Sequence, residues 1–142
     1  MIYNESVQIG EYAAYSEWGI VLEKAEIEAP SLQTVRMTVP GRHGVLDLTE
    51  ELFGTQIYGN RDISMSFAIP ETDSWAYTYM DMLNKVHGQR LDIIFDADPD
   101  WVYHGLCTVS DFRRENRIIR FKINVDADPY KHGVEDPTER AL

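Results

Sequence analysis

Residues 39–50 read VPGRHGVLDLTE and set a cation and an imidazole, Arg42 and His43, between Gly41 and Gly44. Two kinds of chemistry use such a stretch. Glycines beside a cation can cradle a phosphate, because bare backbone N–H groups then approach the anion closely. Alternatively, Pro40 and Gly41 fill positions i+1 and i+2 of a type II turn, where Pro presets φ and Gly supplies a positive one. The longer Gly-rich loop and following Lys of a P-loop are absent, so the turn outweighs the cradle and puts Arg42 and His43 on an exposed tip. Asp96, Asp98 and Asp100 imitate the start of a calcium loop. An EF-hand then needs Gly at its sixth position and Glu at its twelfth, and those places hold Trp101 and Cys107. The histidines, His43, His87, His104 and His132, lack any paired-ligand spacing, and no G-x-S-x-G nucleophile elbow occurs. The pattern assigns no catalytic, metal-ligating or cofactor-binding residue, and an enzyme is not expected. What remains is aromatic: Tyr58, Trp101, Tyr103 and Tyr130 sit beside polar turns, the kind of residue that buries interface area at little entropic cost.

The elements that must position these residues are mostly strands. In RDISMSFAI, Ile63, Met65, Phe67 and Ile69 alternate with polar or small residues, a period of two that predicts a strand with one buried face. Ile119, Phe121, Ile123 and Val125 repeat the pattern, as do Val35, Met37 and Val39, and Leu91, Ile93 and Phe95. Residues 101–110 read as a fifth strand whose inward face is ambiguous. Gly59-Asn60 and Glu115-Asn116 are hairpin signals. One segment, SWAYTYMDMLNKVHG, places Trp75, Tyr79, Met82, Leu83 and Val86 on a single helical stripe, with Asp73 or Ser74 as cap and Gly88 as stop. About 14 residues give ~21 Å of helix, enough to cover one sheet face. FDADPDW and VDADPYK share Asp-Ala-Asp-Pro after a strand, which predicts a common exit from two strand ends. The predicted class is mainly β (α+β): an antiparallel β-sandwich or split barrel with one flanking amphipathic helix.

Composition narrows function further. The chain has 142 residues, suited to one domain, with 13 Lys and Arg against 24 Asp and Glu and a formal net charge of −11. Affinity for nucleic acid comes largely from neutralised phosphates, so the charge argues against DNA binding by the general surface. No apolar run reaches the ~18 residues of a membrane span, and MIYNESVQIGEY lacks the form of a signal peptide. The single cysteine, Cys107, lies in a strand-like run and reads as a buried free thiol in a reducing cytosol.

The order of motifs resembles the N-terminal domain of distal tail proteins of long-tailed phages and prophages. SEWGIVLEKAEIEAPS is followed by VPGRHGVLDLTEELFG and YGNRDISMSF, then a helix closing on His87-Gly88, the Asp98-Pro99 hairpin, and a terminal strand ending at Asp128-Pro129-Tyr130. The similarity spans roughly residues 15 to 131. It implies a β-sandwich or split barrel whose copies close into a ring, typically a hexamer. Such a ring joins the tail tube to the tip or baseplate proteins in the virion tail and passes DNA through its centre without specific binding. Residues 1–131 are then a single tail-hub domain and 132–142 a C-terminal extension or mobile tail. Arg42, His43, Tyr58, Arg61, Trp101 and Tyr130 become candidate subunit-interface residues, and no cofactor and no membrane contact are expected. An acidic lumen would repel the DNA backbone. Many family members carry a second, carboxyl-terminal domain, whereas this chain ends about a dozen residues after Tyr130, so direct host-sugar binding is not expected. The rival readings are a tail-tube or tail-completion protein and a small carbohydrate-binding β-sandwich with Trp101 and Tyr103 as its stacking platform.

Overall fold

The computed structural model describes residues 6–33, 36–38, 45–47 and 57–142. Among them the chain runs through β1 (Val7–Ile9), β2 (Tyr12–Ala13), α1 (Ala14–Trp18), β3 (Val21–Ile27), β4 (Leu32–Gln33), β5 (Arg36–Thr38), β6 (Val45–Asp47) and β7 (Ile57–Tyr58). It continues through β8 (Arg61–Pro70), α2 (Trp75–Val86), β9 (Gln89–Phe95), β10 (Asp98–Glu115), β11 (Ile118–Ala127), β12 (Lys131–Gly133) and β13 (Arg140–Ala141). The main sheet is antiparallel, in the order β2-β1-β9-β10-β11-β8-β3, and does not close. β12 and β13 attach to it through β10, while β4–β7 and β5–β6 form two small separate pairs. The architecture is therefore the expected one, an open antiparallel β fold with a flanking helix. No helix among the described residues is long and apolar enough to cross a membrane.

Alternation explains the buried face. Ile63, Met65, Phe67 and Ile69 of β8 and Ile119, Phe121, Ile123 and Val125 of β11 are all buried, and β9 adds Ile93 and Phe95. α2 lays Tyr79, Met82 and Val86 on this face, with Trp75 and Leu83 packed at its margin. Gly88, at φ 77°, ends the helix and donates its N–H to the Cys107 carbonyl at 2.7 Å, which turns the chain directly into β9. α1, absent from the sequence reading, docks by its Trp18 indole N–H on Asp81 Oδ2 of α2 at 2.9 Å.

β10 is 18 residues long and resolves the ambiguous inward face of residues 101–110. Tyr103, Gly105 and Cys107 point into the core. The register then shifts between Ser110 and Arg113, so that Asp111 and Phe112 together oppose Phe121, and Asp111 adopts φ 56°. This bulge reverses the parity of the strand. As a result Phe112 stacks on Trp75, 6.0 Å between centroids, and meets Tyr79 in a tilted pair at 4.9 Å. The hairpin that follows pairs Glu115 with Ile118, so its two turn residues are Asn116 and Arg117, at φ 51° and 64°. That is one position later than the Glu115-Asn116 signal, and positive φ at both positions is what a two-residue hairpin turn requires.

Two expectations are corrected. Gly59-Asn60 does not close a hairpin between β7 and β8: β7 pairs with β4, Leu32 opposite Tyr58. Both edges of β8 are already occupied, by β3 and β11, so no edge is left for β7. The two Asp-Ala-Asp-Pro segments also exit differently. The first reverses at once, with Phe95 opposite Asp98, whereas the second bends through residues 128–130 and then pairs with β10 as β12. The runs through Val35 and Val39, and the Pro40-Gly41 turn, lie outside the described residues.

Candidate functional site

Three passages of chain meet at one end of the main sheet. The β7–β8 link brings Tyr58, Asn60 and Arg61; the start of β10 brings Trp101 and Tyr103; and the chain between β11 and β12 brings Tyr130 and Lys131. Tyr58 and Tyr130 meet edge to face, 6.1 Å between centroids at 86°. The Arg61 guanidinium lies over the Tyr103 ring at 5.6 Å. Lys131 Nζ sits above both Trp101, at 5.2 Å, and Tyr103, at 5.9 Å, and its ammonium is 3.9 Å from Asp98 Oδ2. Asn60 Nδ2 donates to Asp126 Oδ1 at 3.2 Å, which pins the β7–β8 link to the end of β11.

Of the residues singled out in the sequence, Tyr58, Arg61, Trp101 and Tyr130 are thus brought together, with Tyr103 at their centre. Arg42 and His43 lie outside the described residues. Lys131 was missed, although a signal existed. In the Asp-Ala-Asp-Pro echo Trp101 and Lys131 hold the same place, third after the second Asp, and here the two side chains stack.

Arg61 is the unusual member. It is only 5% exposed, its Nε has no hydrogen-bond partner, and no carboxylate among the described residues pairs with its guanidinium. It lines an open pocket of about 330 Å³ together with Ile27, Glu28, Ala29, Pro30, Tyr58 and Leu142. A second pocket nearby, about 380 Å³, is lined by Trp101, Asp100, Glu135, Asp136 and Glu139.

Cations resting on aromatic faces are suited to binding and orienting. Among the described residues no three of His, Cys, Asp and Glu are placed to hold a metal ion. Cys107 is buried in the core, and burial pushes its thiol up to about 11, so it is protonated and poorly nucleophilic at neutral pH.

No protein-family model matches the chain, and no curated protein matches it. Solved structures do. Among them is the crystal structure of SPP1 Dit (gp 19.1), described as a paradigm of the hub adsorption apparatus in phages that infect Gram-positive bacteria. It is similar to this chain with a TM-score of 0.73 at 13% sequence identity, over 92% of this chain and 53% of that one. The chain therefore spans about half the length of SPP1 Dit. At this identity the likeness establishes the fold.

Proposed function

We propose that this chain is a structural component of a phage tail, a hub domain whose copies close into a ring between the tail tube and the tip proteins. The single observation that carries the reading is the fold shared with SPP1 Dit across 92% of the chain. Sheet geometry supports it. Among the described residues, the outer edges of β2 and β3 have no strand partner, and open edges need covering, which a head-to-tail ring contact supplies. In this reading the aromatic and cationic end of the sheet, with Tyr58, Arg61, Trp101 and Tyr130, is part of the subunit contact, and Arg42 and His43 add to it. Six copies and a central DNA passage follow from the family resemblance. The charge of −11 suits a passage that must not hold the DNA backbone. No enzyme activity, cofactor or membrane contact is part of the proposal, and its place is the virion tail.

Negative-stain imaging of the purified protein tests this. Closed rings with a central opening, single or in pairs, are expected. Long stacked cylinders would favour a tail-tube protein instead, and isolated particles of monomer size would remove the ring.

A further inference from the structure

We propose that the pocket at Arg61 is a carboxylate receptor, filled in the assembled ring by an Asp or Glu side chain of a neighbouring copy of this chain. The inference rests on the ring reading above and adds to it the contact that holds two subunits in register.

The starting point is a buried cation without an ion pair among the described residues: Glu28 and the C-terminal Leu142 line the same pocket, but neither pairs with it. Arg61 opens β8 opposite Ala127 and is almost fully withdrawn from water, yet it makes no ion pair among the described residues and its Nε is unsatisfied. A buried guanidinium without an anion is costly, and the Tyr103 face beneath it recovers only part of that cost. An unpartnered buried polar group calls for an explanation, and a partner arriving from outside is one. The guanidinium is a planar fork of donors that matches a carboxylate through two parallel N–H···O bonds. Tyr58 lies on the same pocket wall.

The occupant follows from charge and place. With 24 Asp and Glu against 13 Lys and Arg, each copy carries a surplus of carboxylates. Several are well exposed, including Glu26, Asp92 and Asp111, at 57%, 62% and 60%, each held only by a surface partner of its own chain, Lys24, His104 or Lys122. The pocket wall of Ile27, Glu28, Ala29 and Pro30 is the direct continuation of β3, the strand at the open edge of the sheet. A neighbour that covers this edge passes beside Arg61.

Arg61→Met keeps most of the stem volume and removes the charge. Its oligomer dissociation constant, measured by light scattering over a concentration series, should rise by about tenfold or more. Its monomer should melt at or above the wild-type temperature, because a buried charge without an internal partner has been deleted. Arg61→Lys retains the charge without the fork and should assemble with intermediate affinity, and it serves if Arg61→Met fails to fold. If both variants assemble as the wild type does, the receptor is refuted and the ring stands. A monomer of Arg61→Met that melts well below wild type assigns Arg61 an internal partner and also refutes it. If the wild type itself stays monomeric, the ring reading fails and the receptor fails with it; the wild-type series separates these cases.

Discussion

Gly105→Ala should be among the most damaging single-atom changes in this protein. A Cβ at this position would lie 2.3 Å from the Asp126 carbonyl oxygen and 2.6 Å from the Ala127 Cα, both of them backbone atoms. Ordinary carbon–oxygen contact needs more than 3 Å, so β10 and β11 would have to separate by about 1 Å at their centre, where packing resists strain. Overpacking of this kind costs about 1–3 kcal/mol, and each ladder hydrogen bond it weakens adds about 1 kcal/mol. A loss of roughly 3 kcal/mol follows. The residue also follows Tyr103 by two along β10, so the same displacement disturbs the Arg61–Tyr103–Lys131 stack. Urea unfolding followed by fluorescence of Trp18, Trp75 and Trp101 gives the measurement. Gly88→Ala is the control. Its Cβ would meet nothing within 4 Å but inherits φ 77°, so its cost is torsional, about 1–2 kcal/mol. A Gly105→Ala loss below about 1 kcal/mol, or one smaller than that of Gly88→Ala, would refute the close-approach argument.

Three further outcomes are expected. Arg117 holds φ 64° in the β10–β11 turn, so Arg117→Gly should stabilise the fold by about 0.5–1 kcal/mol and raise the melting temperature; a lower melting temperature would contradict the turn geometry. The Trp18 indole N–H and then Lys85 hold the Asp81 carboxyl below its usual range. A carboxylate whose folded pKa is lowered contributes stability above the ordinary value of about 4 and loses it as pH falls through the folded value. Asp81→Asn should therefore lower the melting temperature at neutral pH and lose that effect at strongly acidic pH, and a gap that persists in acid would show that charge is not the cause. Cys107, protonated and buried, should resist iodoacetamide in the native protein and react readily once unfolded, as read by mass spectrometry. Rapid native labelling would contradict its place in the core.

Legibility in the sequence followed one-sided burial. The strands at residues 63–69 and 119–125 and the stripe from Trp75 to Val86 were plain, because a face that is buried along its whole length imposes its period on the sequence. β10 was not: over residues 101–110 its inward face includes Gly105 while the apolar Val102 and Leu106 lie on the other face, and the bulge at Asp111 then reverses the parity. α1 has five residues and is too short to show a stripe, while β12 and β13 are three and two residues long and too short to alternate. The Gly59-Asn60 signal was locally sound but was overruled by β3 and β11, which already hold both edges of β8. The same distinction governs the site. Tyr58, Trp101 and Tyr130 were legible as aromatics beside turns. The burial of Arg61 was not, since the Tyr103 ring it lies over is far away in sequence and brought close by the sheet.

The central claim is that this fold assembles into a closed ring. Light scattering on the purified protein across a wide concentration range tests it most directly. The account predicts one discrete oligomer, near six subunits, whose mass stops growing once formed. A monomer at every concentration, or a mass that climbs without limit, would contradict it.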